Sequence, residues 1–137
     1  MMVLASLANA QYVTIKAFFG GTHLGMTIDE CVAHYGSIPM GHTGAPDGEK
    51  FVEFRHISQG NPMEQWRVLI YFRESDRKIV YVSYWKLGPD EIFSPEQIRY
   101  LTNLNSGQGP LVTHLDNDGE FEVTTAEHEK REFPNGR

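Results

Sequence analysis

Cys31 and His34 stand three positions apart, which on a helix puts a thiol and an imidazole on one turn, within reach of a soft metal ion. Two ligands do not make a site. His23 and His42 are the nearest further imidazoles, so the simpler reading is a buried thiol beside a partly exposed ring, with no metal and no cofactor. Asp116-Asn117-Asp118-Gly119-Glu120 is rich in oxygen ligands, as a calcium loop would be. It lacks the twelve-residue spacing and the distal bidentate glutamate, and its Asn, Asp and Gly suit a hairpin turn. Ser6, Ser37, Ser58, Ser75, Ser83, Ser94 and Ser106 are the hydroxyl nucleophiles on offer, and none lies in a Gly-x-Ser-x-Gly elbow. Glu127 and Glu129 lie in a charged tail, a poor place to raise a carboxylate pKa by burial. Gly107-Gln108-Gly109-Pro110 is followed by no lysine and no capped helix, so it is not a phosphate loop. No catalytic residue is expected, and the chain reads as a non-enzyme.

The elements that carry these residues belong to one domain. The 137 residues hold 40% hydrophobic and 22% charged side chains, enough to bury a core without disulfides. Cys31 is the only cysteine. A net charge of -6 and a pI near 5.4 argue against nucleic acid and anionic membranes as partners. No apolar stretch approaches the roughly 20 residues of a transmembrane helix.

Thr27-Ile28-Asp29-Glu30 has the form of a capping box, and Ile28, Cys31, Val32 and Tyr35 make the apolar stripe of a helix that Gly36 ends. Tyr12 to Phe19 mixes aromatic and β-branched residues and reads as a strand or lead-in. Met40 to Lys50 reads as a loop. Phe51 to Ile57 reads as a strand, followed by a turn at Ser58 to Pro62. Gln65 to Arg73 and Lys78 to Lys86 are the strongest strands, joined by a hairpin at Glu74 to Arg77. Ser94, Pro95 and Gln97 open a second capped helix, with Phe93 and Ile98 placed as a hydrophobic staple, and Asn105-Ser106-Gly107 closes it. Leu111 to Leu115 and Phe121 to Thr125 read as short strands. Together these predict an α+β fold, an antiparallel sheet of about four strands with two helices on one face. Residues 11–126 form the domain, and 127–137 a charged, loosely held tail.

The hairpin carries the most functional information. With Arg73 opposite Lys78, outward counting puts Phe72, Ile70, Val68, Trp66, Ile79, Tyr81, Ser83 and Trp85 on one face. Arg67, Leu69, Tyr71, Arg73, Val80, Val82 and Tyr84 fall on the other. Both faces are apolar in the middle, whereas a half-buried sheet alternates apolar with polar. Two helices cover one face. The second, with its tyrosines and basic rim, is the expected binding surface for a protein partner, unless other segments or a second copy in a homodimer cover it.

Gly25-Met26-Thr27, then the helix with Val32, then Gly36 and Pro39, resembles the opening of the SmpA/OmlA type of outer-membrane lipoprotein and of β-lactamase-inhibitor-protein-like domains. The resemblance implies a sheet whose open face takes a protein. It departs from the pattern in that Ser37-Ile38 separates the Gly from the Pro, where one residue is usual. Cys31, inside the helix stripe, cannot be the lipid-bearing cysteine. Ala8-Asn9-Ala10 before Gln11 has the small-x-small form of a signal-peptidase site after an apolar stretch, so residues 1–10 read as a signal-peptide remnant or an N-terminal segment. The expectation is an exported, periplasmic or secreted, non-catalytic protein-binding module. The alternatives are a cytoplasmic inhibitor or immunity-type protein, and an enzyme or small-ligand carrier.

Overall fold

The computed structural model describes residues 14–58, 63–88, 92–116 and 118–137. Residues 1–13, with the expected export junction and the start of the Tyr12–Phe19 segment, lie outside them, as do 59–62 of the expected turn. In chain order the elements are α1 (Ile15–Phe19), α2 (Ile28–Tyr35), β1 (Met40–His42), β2 (Glu49–Ile57), β3 (Gln65–Arg73), β4 (Ile79–Lys86), α3 (Pro95–Leu104), β5 (Leu111–Leu115), β6 (Glu120–Thr125) and α4 (Ala126–Glu132). The strands make one antiparallel sheet in the order β1-β2-β3-β4-β6-β5. The fold is therefore α+β with an antiparallel sheet, as expected, but with six strands and four helices among the described residues.

Both capping boxes form. Thr27 accepts from the Glu30 amide while Glu30 takes the Thr27 amide, and Ser94 and Gln97 do the same for α3. Gly36 ends α2 at φ 68°, a left-handed conformation that costs a residue without Cβ little. Gly25 also needs to be glycine. Its φ is +85°, and a Cβ there would lie 2.2 Å from Gln108 Oε1. The approach to α2 is clamped to the hairpin: Gly25 N–H donates to Ile79 O, Ile79 N–H to Met26 O and Ile28 N–H to Arg77 O, at 2.9–3.0 Å. Asp29 takes a bidentate bond from Arg77 at 2.8 and 3.0 Å.

Three sequence expectations change. Ile15–Phe19 is a helix, not a strand, because Thr14 caps it and Phe18 and Phe19 turn together into the core. Within the expected loop, Met40–His42 pairs with β2, as its backbone finds partners on Phe51, Val52 and Glu53. The charged C-terminus is partly helical: α4 starts at Ala126 and takes in the first six residues of the expected tail, capped by Thr125, with His128 buried.

The main core lies between the sheet and α1, α2 and α3. It contains Phe18, Phe19, Leu24, Ile28 and Cys31 from the helical side, Val68, Ile70, Phe72, Val82, Tyr84 and Val123 from the strands, and Leu101 from α3. Tyr84 is fully buried there. Its hydroxyl donates to Thr22 O at 2.7 Å and accepts from Asn105 Nδ2 at 3.0 Å, which answers the one polar atom it brings inside.

Candidate functional site

The hairpin register decides which side chains reach the outer face. Phe72 pairs with Ile79, but Tyr71 pairs with Tyr81, so Val80 is an extra residue bulged out of β4. Beyond the bulge every β4 side chain changes face relative to simple counting. Val82 and Tyr84, expected on the contact surface, are instead wholly buried under the helices. Tyr81, Ser83 and Trp85 take their place on the outer face, opposite Tyr71, Leu69 and Arg67.

The outer face has a covered end and an open end. At the covered end α4 lies over a small cluster of Tyr71, Val80 and Tyr81, with Phe51 and Ala45 against it. The His128 ring sits 4.8 Å from that of Tyr71 and 5.4 Å from that of Tyr81. Its Nδ1 is 2.7 Å from Glu49 Oε1 and its Nε2 3.4 Å from Glu132 Oε1, with His128 and Glu49 both about 1% exposed. These distances are those of ion pairs, while the angles fall short of hydrogen bonds, so the contact is electrostatic more than directional. Arg131 approaches Glu49 Oε2 at 3.3 Å and donates to Asp47 O at 2.7 Å. Arg137 binds Glu129 at 2.9 and 3.0 Å and Glu122 at 3.0 Å. Burial raises the Tyr71 hydroxyl pKa, and a hydrogen bond to Glu132 adds to it. Burial also works to raise Glu132, but the nearby His128 ring and Tyr71 hydroxyl outweigh it and leave that carboxyl below its ordinary range.

The open end is built around Glu53, a carboxylate 2% exposed in the middle of β2. Burying it requires compensating charge. His42 Nε2 lies 3.0 Å from Oε1, Arg55 Nη2 donates at 3.3 and 3.4 Å, and Arg67 Nη1 lies 3.5 Å from Oε2. Across the β3–β4 ladder Arg67 pairs in register with Trp85, its guanidinium 5.4 Å from the ring centroid. Both members keep a donor shielded from solvent with no acceptor among the described residues, Arg67 Nε and Trp85 Nε1. Such a donor costs about 1–3 kcal/mol when left unpaired.

Beside this pair, Ser83 Oγ donates to Glu120 Oε2. Burial, opposed by that bond and assisted by the charge of Glu122, pushes the Glu120 carboxyl up to about 7. A serine bonded to a basic carboxylate has the polarity of an activated nucleophile. Ser83 is however fully buried, so its hydroxyl has no surface from which to attack a substrate. Tyr81 likewise donates to Glu122, and its own pKa is raised chiefly by burial.

Of the seven residues expected at the surface, Arg67 and Leu69 lie on the open end, and Tyr71 and Val80 lie beneath α4. Arg73 bonds Asp76 at 3.2 and 2.8 Å and ties the turn. Sequence reasoning missed Glu53, Trp85, Glu120 and His128. Period-2 alternation along Phe51–Ile57 places Glu53 and Arg55 on one face, which was the available signal for the first. The bulge hid Trp85.

The remaining candidates carry little chemistry. Cys31 is buried 3.7 Å from Thr22 Oγ1, and burial pushes its thiol up to about 11, away from the reactive range. His34 Nε2 faces Ala17 O at 3.2 Å. Among the described residues no three His, Cys, Asp or Glu side chains are grouped to hold a metal. A cleft of about 350 Å³ lies between α1, α2 and β2, with Phe18, Tyr35 and Phe54 on its walls and His34 and His56 among its polar groups. None of the shielded, unpaired polar atoms lies in it. Burial lowers the pKa of His56, whose ring stacks on Trp66 at 4.7 Å. Among the described residues no helix is long and apolar enough to cross a membrane. No family model, no curated protein and no solved structure matches the chain.

Proposed function

We propose that this chain is a non-catalytic protein-binding module acting through the open end of its outer sheet face. The observation that carries the reading is the Arg67–Trp85 pair, two large side chains in register over Glu53, each holding a shielded donor without an acceptor. Native structures seldom keep such donors without a use. A partner that shifts the stack and brings carbonyl or carboxylate oxygens relieves both. Arg and Trp are also the residue types that dominate binding energy at protein interfaces. Leu69 and the exposed Met40 add apolar area beside them. The buried Ser83 hydroxyl favours binding over catalysis. The SmpA/OmlA-like opening at Gly25 to Pro39 supports a sheet face that takes a protein, and the small-x-small form of Ala8-Asn9-Ala10 supports an exported, periplasmic setting.

The test is retrieval of the partner from native cells with the wild-type protein and with Arg67→Ala/Trp85→Ala, followed by titration against the purified partner. The double variant is expected to bind at least about tenfold more weakly while melting within a few degrees of wild type. Unchanged binding by the double variant removes the face from consideration.

A further inference from the structure

The two edges of the sheet are not alike. β1 is three residues long and follows Pro39, a short blunted edge of the kind that resists further pairing. β5 (Leu111–Leu115) carries no Asp, Glu, Lys or Arg, no proline and no bulge, its one titratable residue, His114, lies 3.2 Å from Glu129 of α4, and among the described residues the strand pairs with β6 alone. Its register with β6 fixes which of its backbone groups point outward. Asp116 N–H donates to Glu120 O at 3.1 Å, continuing the ladder one step past the strand. Bonded and non-bonded pairs alternate along an antiparallel ladder, so His114 and Val112 are the residues bonded to β6. Leu111, Thr113 and Leu115 then present their N–H and C=O groups outward. These three are symmetric about Thr113.

We propose that β5 is a homodimer edge, on which a second copy of this chain pairs antiparallel about a two-fold axis through Thr113. Thr113 then exchanges both backbone bonds with Thr113 of the second copy, and Leu111 exchanges both with Leu115. About six hydrogen bonds form with none of the outward groups left over. Leu115, 52% exposed in the single chain, meets Leu111, which already packs against the core, so the apolar layer continues across the axis. On the outer face Val112 stands opposite His114. Each chain carries -6, so two copies repel over most of their surface, and a strand without Asp, Glu, Lys or Arg is where close approach costs least. The joined sheet leaves the Arg67–Trp85 end of each copy free, so this edge does not depend on the function proposed above.

Sedimentation equilibrium across a wide concentration range, on wild type, Thr113→Pro and Thr113→Lys, tests the pairing. Proline is tolerated on an edge strand where its missing N–H would face outward, which is the case at Thr113. A wild-type dimer, with both variants at least about tenfold weaker in self-association and unchanged in circular dichroism, supports the proposal. A wild type that stays monomeric at the highest concentration, or a dimer that survives both substitutions, overturns it. Amide exchange on the wild type needs no variant. The Leu111, Thr113 and Leu115 amides are expected to exchange freely in dilute protein and to be protected in concentrated protein. Free exchange at both concentrations overturns the proposal, as does protection of these amides in a sample that sediments as a monomer.

Discussion

The inner and outer faces of this sheet are cut from the same strands yet held by different forces. The inner face is a close-packed apolar layer in which polar atoms are few and answered, as with the Tyr84 hydroxyl between Thr22 O and Asn105. The outer face is held by charge. His128, Glu49, Glu132 and Arg131 fasten α4 over one end, and Glu53 gathers His42, Arg55 and Arg67 at the other. Apolar packing is non-directional and tolerates no access. Buried charge contributes little net stability against an apolar replacement and is costly when one partner is removed. A face built that way can be rearranged by a partner that brings its own charges and acceptors, and the inner face cannot.

Tyr84→Ala should break the inner face most severely. It opens a cavity in the core and orphans Asn105, and a loss of about 3–5 kcal/mol in a urea titration is expected. A loss below 1 kcal/mol would mean the helices do not pack on that face. His128→Ala should cost about 3 kcal/mol, because Glu49 stays buried without the ring 2.7 Å from it and keeps only Arg131. His128→Ala and Glu49→Gln should be strongly non-additive in a double-mutant cycle, and additivity would separate the two groups. Leu69→Ala, on the open end, should cost roughly 1 kcal/mol or less, at the lower end of what single substitutions do. A cost like that of Tyr84→Ala would show that the open end is core.

A pH dependence is expected as well. The folded protein holds the Glu120 proton up to about 7, while the unfolded chain releases it near the ordinary 4.5. Between those values the folded state binds more protons. The stability Glu120 contributes is therefore full below about pH 4.5 and lost as pH rises through about 7. Glu120→Gln should flatten melting temperature against pH over that window and melt higher than wild type at alkaline pH. A parallel pair of curves would contradict the raised carboxyl.

Local rules made most of the fold legible, and a single non-local event concealed much of the site. The two capping boxes, the Gly36 stop and the β3–β4 hairpin were written in short stretches, because caps and turns depend on neighbours a few residues apart. Thr14 capping Ile15–Phe19 was as local, yet aromatic and β-branched content masked it. The bulge at Val80 left no Gly or Pro to mark it, and one extra residue moved Val82 and Tyr84 inward and Tyr81, Ser83 and Trp85 outward. Glu53 and His128 were hidden for another reason. Arg55 shares the face of Glu53 two residues on, but Arg67 reaches Glu53 only through strand pairing and Glu49 reaches His128 only through the docking of α4, and no spacing in the chain announces either.

Trp85 reports directly on whether partners dock on the open end. The chain has two tryptophans, and Trp66 faces the core, so Trp66→Phe leaves Trp85 as the only tryptophan, excited apart from the tyrosines at long wavelength. Titrating that variant with the purified partner should shift Trp85 emission along a saturable curve that matches the independently measured affinity. Trp85 emission that stays unchanged at a saturating partner concentration would contradict recognition through this face.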